Sequence, residues 1–443
     1  MAGLITVACQ RSPTTHIEPV AADVCTIGDR GSPLDTVFVS LEDRVVEPET
    51  VVPRSAAERL VFRQLYASLV ALDCDGRIHP AVAQSWSSSD GHREWTFHLS
   101  EQVRFSDGVR LRALHVLDAW ERVWPSVSSG LPRGEYFNFD RALSEDVVVV
   151  RLEEPDARLP TRLARPELAI ARYGLAGERM WPIGTTAYAP SQTDATGGQL
   201  TLAATDPDFS TLVFVPASTR DVRDALDANL DVVVGRTRDF VSYAVQRDEY
   251  VSRELPWDRT YGLVLPRLSS EPVRYVSMPS LADVRQLRDD VARYVVSVDA
   301  RAVKCDDLAR IQAISRAPDS GDRQVIVFTD GDQSAREIAE RLVAMNNSVP
   351  GRRESRGRWS AEGVSRSRLL ARVGSAAAAA VLSHATDSAD ACADSIPSQR
   401  DVATETLFLP LVQTRSHLVM RKGSVTAALH GDGVPQFFTR FGR

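Results

Sequence analysis

The chain has 443 residues, a formal net charge of -7, 43% hydrophobic residues and 25% charged ones. That length exceeds what one hydrophobic core usually serves, so a folded chain of two lobes is expected. The acidic balance excludes a general binder of nucleic acid or anionic membrane, which needs clustered Lys and Arg, and no apolar run reaches the ~20 residues of a membrane-spanning helix.

At the N-terminus, MAGLITVACQR is short and lacks a basic start, so it is not a complete secretory signal. Ala8 before Cys9 resembles the end of a bacterial lipoprotein signal, which makes Cys9 the candidate for lipidation, with Thr6 standing where Leu is usual. The five cysteines form no CxxC pair and no Cys/His cluster with zinc spacing, so no metal site is expected. With Cys9 set aside, Cys25, Cys74, Cys305 and Cys392 can make two disulfides in an oxidising compartment. Cys25 with Cys74 and Cys305 with Cys392 is one of three pairings, and four buried thiols are the other reading.

The segment 35–41, DTVFVSL, alternates like a half-buried strand. A helix is predicted over SAAERLVFRQLYASLV, with Ser55 as N-cap, Glu58 at the capping-box position, and Leu60, Val61, Leu65 and Leu69 at helical spacing. Asp75 and Gly76 form a tight turn, and a short helical segment is expected from Pro80 to Trp86. After the turn SSSDGH, EWTFHL alternates as a strand with Trp95, Phe97 and Leu99 on one face. The turn RFSDG leads into ALHVLDAWERVW, an amphipathic helix carrying Val116, Leu117, Trp120 and Val123. Trp86, Trp95 and Trp120 read as core residues rather than ligand contacts.

The stretch LYASLVALDCDGRIHPAVAQSWSSSDGHREWTFHLSEQVRFSDGVRLRALHVLDAWERVW resembles the opening signature of the peptide and nickel class, family 5, of bacterial ABC-importer solute-binding proteins. It departs at Ala67, where Glu is usual, and at Val82, where Leu is common. Further segments follow the family in the same order: DVVVVRLEEPDARLPTRLARPELAI, PIGTTAY in place of P-x-GTGPY, DVRDALDANLDVVVG with Asn229 in a glycine's place, ADVRQLRDDVARYVVSVDARAV, QVIVFTDGDQSAREIAERLVAMN, and LFLPLVQTRSHLVMRKGSV. The resemblance implies a two-lobed α/β fold of the periplasmic-binding-protein kind, with mixed sheets and a two-strand hinge. Residues 1–24 are then a signal-like N-terminus and linker, 25–258 with 405–443 the larger discontinuous lobe, and 259–404 the second lobe.

No G-x-S-x-G elbow or H-E-x-x-H helix is present and the histidines are dispersed, so no catalytic residues and no cofactor are expected. VFTDGDQSA lacks the remaining ligands of a calcium loop and the GK[ST] of a P-loop, and reads as a solvated turn. The basic run GRRESRGRWSAEGVSRSR reads as an exposed loop of the second lobe. The resemblance implies a solute enclosed between the lobes, which places Trp257, Asp258, Tyr261 and Glu405 near the crossover strands and Trp181 and Tyr188 beside the GTTAY turn. Peptide-binding members carry an acidic residue that pairs with the ligand's amino terminus; the corresponding region here, LSHATDSADACADSIPSQ, offers Asp387 or Asp390. The pocket arginine of nickel-binding members should fall just after LARP, where this chain has Glu167.

The expected function is therefore that of an extracytoplasmic receptor, monomeric and without enzymatic activity. It would pass a peptide-like solute to ABC permease subunits from the periplasm or the outer face of the cell membrane. The altered pocket region, with Thr186 and Ala187 in the turn, motivates the alternative of a sensor or accessory envelope lipoprotein on the same fold.

Overall fold

The computed structural model describes residues 25–28, 34–42, 44–128, 131–136, 145–174, 181–193, 198–206, 209–216, 221–235, 238–266, 325–330, 332–348, 359–365, 368–369, 379–385 and 406–438. In chain order, β1 (Thr26–Ile27) and β2 (Thr36–Leu41) precede α1 (Ala56–Leu65), which leads to β3 (Val70–Leu72), β4 (Ile78–Pro80), β5 (Ala83–Ser89) and β6 (Glu94–Leu99). Next come α2 (Ala113–Val127), β7 (Gly134–Glu135), β8 (Val147–Leu152) and α3 (Leu159–Leu163). Three strands follow, β9 (Tyr188–Thr193), β10 (Leu200–Ala204) and β11 (Thr211–Pro216), then α4 (Arg223–Asp227), β12 (Val232–Gly235) and α5 (Arg238–Val245). The chain continues through β13 (Tyr250–Pro266), β14 (Val325–Thr329), α6 (Gln333–Ser348), β15 (Ser360–Val364) and β16 (Ala379–Ala385) to β17 (Thr406–Arg421), β18 (Thr426–Leu429) and β19 (Pro435–Phe438).

Helix α1 begins as its sequence directs. The Ser55 hydroxyl accepts from the Glu58 amide at 3.1 Å, satisfying one of the donors a helix start leaves over. Glu58 reaches one residue further back than the capping box predicts, accepting from the Arg54 amide at 2.6 Å. The helix ends at Leu65, where Tyr66 is extended, earlier than the run to Val70 predicted from periodicity. Pairing of Val70–Leu72 with Ile78–Pro80 takes the following residues into a strand. The short helix expected from Pro80 to Trp86 is likewise absent: Ala83–Ser89 pairs antiparallel with Glu94–Leu99, and that ladder outweighs the local helical signal. In the same sheet, ordered β5-β6-β8-β7, Trp95, Phe97 and Leu99 turn inward as their alternation predicts. Trp120 on α2 is fully buried, its indole N–H donating to the Leu168 carbonyl at 3.1 Å, and Trp86 packs partly buried against the same core.

Cys25 and Cys74 are joined by a disulfide across 49 positions of sequence. The bond pins the segment before β2 to the β3–β4 turn, whose shape is held by the buried Asp73 carboxylate. That group accepts from the amides of Asp75 and Arg77 at 2.9 and 2.8 Å and lies 2.7 Å from the His79 imidazole. Cys305 and Cys392 lie outside the described residues, as does Cys9.

The main sheet runs β15-β14-β16-β13-β17-β12-β2-β11-β10-β9 among the described residues. Strands β2, β11 and β12 pair in parallel, as do β14, β15 and β16, whereas β13 and β17 are antiparallel to each other and to the strands beside them. The mixed sheet expected from the resemblance is thus present. Each half has its own core. The larger is built on α1, α2 and the strands around them, and the smaller holds Tyr261, Leu263, Ile326, Phe328, Ile338 and Leu342. Trp359 joins that second core at 6% exposure and Ser360–Val364 is a strand parallel to β14, so this part of the basic run expected as an exposed loop is structural. Asn229 closes the turn after α4 with φ 59°, the left-handed conformation that explains a glycine's place there.

Candidate functional site

The two long strands connect the halves of the molecule. Residues Tyr250 to Glu254 of β13 pair with Arg421 to His417 of β17, whose other edge pairs with β12. From Thr260 onward β13 pairs on its outer edge with β16, and its register with β17 shifts between Glu254 and Trp257, between Trp257 and Arg259, and between Tyr261 and Gly262. The exchange of partners therefore falls at the irregular stretch around Trp257 and Arg415. Such bulges loosen the ladder locally and raise its twist. Trp257 and Asp258 stand in this crossover, with side chains outside the described set; Glu405, Asp387 and Asp390 lie outside the described residues. Beside it, the Arg415 guanidinium pairs with Glu254 at 3.1 Å.

Tyr261 is fully buried within the smaller lobe. Its hydroxyl donates to the Asp332 carboxylate at 3.0 Å, and the same carboxylate accepts from the Ala335 amide at the start of α6. Asp332 of the VFTDGDQSA turn is thus a helix cap, and Tyr261 a core residue that orients it.

The GTTAY turn is stitched to the end of α1. A Cβ on Gly184 would lie 1.9 Å from the Leu65 carbonyl oxygen, so only glycine fits there. The Thr186 hydroxyl donates to the Gln64 carbonyl, and the Tyr66 hydroxyl to the Pro182 carbonyl at 3.2 Å. Trp181 packs edge-on to Phe62 at 6.4 Å, half-buried, with an indole N–H that has no partner among the described residues. Tyr188 is 2% exposed and lies edge-on to Phe209 at 5.9 Å. Its hydroxyl is also unpartnered, and burial holds it well above the usual phenol range. The structure thus brings Trp181 to a partly exposed wall and puts Tyr188 in the core.

The Glu167 position sits in a charge network of the larger lobe. Arg59 donates to Glu167 at 3.1 Å, and Arg165 approaches its other oxygen at 3.5 Å. Arg63, one helical turn beyond Arg59 on α1, pairs with Asp432, which also lies 4.0 Å from Arg59. Burial opposes ionisation of Glu167 and Asp432, yet the guanidiniums hold both carboxyls below their usual range. His430 is neutral: burial first, then Arg63, pushes its imidazole down to about 4. The Arg59 and Glu167 side chains are 18% and 17% exposed, so the network is a wall reached by solvent rather than a sealed core. Three guanidiniums face two carboxylates, and Arg63 Nε is buried without a partner among the described residues. The arrangement favours an added anion and holds no nucleophile with an oriented base. Sequence reading reached Glu167 through the resemblance alone. Arg59 and Arg63, four apart on the polar side of α1, and Asp432 in a DG turn carried no signal beyond that of a solvated face.

Among the described residues no group of three His, Cys, Asp or Glu side chains is placed to hold a metal ion, and no helix is long and apolar enough to cross a membrane.

Residues 77–212 match the family described as Bacterial extracellular solute-binding proteins, family 5 Middle. Over 93 residues the chain is 32% identical to the periplasmic oligopeptide-binding protein OppA of Escherichia coli, a stretch that is 21% of this chain and 17% of that protein. It thus aligns with less than a fifth of the length of that relative. Among solved structures, NikA from Brucella suis in complex with Fe(III)-EDTA superposes with a TM-score of 0.61 at 16% identity, covering 87% of this chain and 95% of that one. The Escherichia coli murein tripeptide binding protein MppA gives 0.62 at 12% identity, covering 92% and 99%. The fold is that of these two-lobed binding proteins, and the resemblance to family 5 rests on the matched middle segment together with that fold.

Proposed function

We propose that this chain, similar to the family 5 bacterial extracellular solute-binding proteins, is the solute receptor of an ABC importer and catalyses no reaction. The lobes are 25–258 with 405–443, and 259–404, and they close about β13 and β17 on a peptide-like solute; the closed form then docks on permease subunits. What supports this reading most is the partner exchange of β13 and β17 around Trp257, because two bulged strands shared by two separate cores are what lobe closure requires.

The solute would be gripped by Trp257, Asp258 and Trp181, and an anionic group, such as a peptide carboxylate, would suit the Arg59 and Arg63 guanidiniums. Tyr188 and Tyr261 act from the core, by holding the turn and the α6 cap in place. Asp387, Asp390 and Glu405 remain candidates for the solute's amino group. The Cys25–Cys74 bond fits an oxidising compartment, and OppA and MppA are named periplasmic; both support a location in the periplasm or on the outer face of the membrane, and the likeness of Ala8 and Cys9 to a lipoprotein signal supports Cys9 as a lipid anchor. It acts as a monomer.

A thermal-shift screen against pooled di- to pentapeptides, nickel chelates and oligosaccharides tests the reading, since a ligand of the native form stabilises it by RT ln(1 + [L]/Kd). A shift from a peptide pool is expected. Silence across all pools, with capture of a partner other than a permease, would replace it by the accessory-protein alternative, which the altered pocket region and Thr186 and Ala187 of the GTTAY turn motivate.

A further inference from the structure

We propose that the larger lobe carries a second small-molecule site, on the outer face of α2, that binds a zwitterion of dipeptide size. It is separate from the interlobe site proposed above. A half-open cavity of about 380 Å³ lies between α2 and the extended segment 171–173, within the range of small-ligand pockets. All its walls come from the larger lobe, so it is complete without lobe closure.

One wall is a helical stripe. His115, Asp118, Glu121 and Arg122 recur at spacings that put them on one side of α2, while Val116, Leu117, Trp120 and Val123 fill the core side. The opposite wall is Arg172 and Tyr173, and it is fixed. Arg172 exchanges backbone hydrogen bonds with Ile183 at 2.9 and 2.8 Å, and the Tyr173 hydroxyl accepts from the Val51 amide at 3.2 Å. The Arg122 guanidinium stands 4.3 Å over the Tyr173 ring, a cation–π contact that orients it without neutralising it.

Both signs of charge stand on the helical wall, and they are left unpaired. Asp118 and Glu121 make no ion pair among the described residues, and neither does Arg122, whereas Arg172 is paired with Asp107. Arg172 Nε is buried with no partner among the described residues. His115 accepts from the Arg112 amide through Nδ1 at 3.0 Å, so the proton of its neutral ring sits on Nε2, and burial, its main perturbation, favours that neutral form. The cavity therefore offers two carboxylates to an ammonium, and a free guanidinium with an imidazole N–H to a carboxylate.

Isothermal titration of the full chain with L-alanyl-L-alanine, its N-acetyl form and its C-terminal amide tests the assignment. The free dipeptide should bind, and either blocked form should bind at least about tenfold more weakly. Asp118→Asn with Glu121→Gln, and separately Arg122→Gln, should each weaken the free dipeptide about tenfold with the far-UV circular dichroism unchanged, because these side chains are exposed on α2. Absence of dipeptide binding at millimolar concentration overturns the proposal. So does equal affinity of the blocked forms, which requires no variant to fold, or undiminished binding by the folded variants, which would assign the dipeptide to the interlobe cleft.

Discussion

Glu167→Gln replaces the carboxylate at the centre of the charge network by a neutral group of the same shape. At an effective dielectric of about 20, unit charges at the Arg59–Glu167 distance of 3.1 Å attract by roughly 5 kcal/mol. The cost of desolvating both partners offsets much of that, and the amide keeps one acceptor, so a net loss of about 1–3 kcal/mol is expected. The loss should depend on pH with a definite sign. Arg59 and Arg165 hold the folded-state pKa of Glu167 below that of the unfolded chain. Its contribution is therefore complete above the unfolded value of about 4.3 and is lost as pH falls through the lower folded value. Urea unfolding of wild type and variant followed by tryptophan fluorescence measures this directly, because the Trp120 indole is bonded to the Leu168 carbonyl next along the chain. Stabilities that coincide at pH 7, or a gap that is the same at pH 7 and pH 2.5, would refute the reasoning.

Reduction of the Cys25–Cys74 bond, or Cys74→Ser, should lower stability by about 2–4 kcal/mol by releasing the closed loop in the unfolded chain; unfolding midpoints with and without reductant check it. Trp120→Ala should cost about 3–5 kcal/mol as a cavity at a fully buried site, whereas Trp120→Phe should cost roughly 1–3 kcal/mol for the unmet Leu168 carbonyl, both read by denaturant unfolding. Gly184→Ala should cost more than about 2 kcal/mol and shift the amide signals of Leu65 and Tyr66, since the added methyl meets backbone rather than a flexible side chain.

Local pattern was most informative where one face of an element is buried. EWTFHL and ALHVLDAWERVW read correctly because alternation or helical spacing records which side meets the core. It misled where pairing partners are distant: Val70–Leu72 and Ala83–Ser89 are strands because β4 and β6 lie beside them, which no window of local sequence contains. The aromatic candidates divided for a related reason. Tyr188, Tyr261 and Trp181 have the composition of a binding wall and of a core alike, and only packing separates the fully buried pair from the half-buried Trp181. The charge network was invisible in sequence because Arg59, Arg63, Arg165, Glu167 and Asp432 come from three distant segments, each ordinary on its own.

As a solute receptor, the protein would close its two lobes about β13 and β17 when solute binds. Fluorescence energy transfer between a dye at Leu114, exposed on α2, and one at Arg336, exposed on α6, both introduced by non-thiol chemistry, measures that movement while the stabilising peptide is titrated in. A shortening of the distance that saturates with the binding isotherm is the predicted result. Peptide binding that leaves the distance unchanged, or a chain that no solute brings together, would contradict the account.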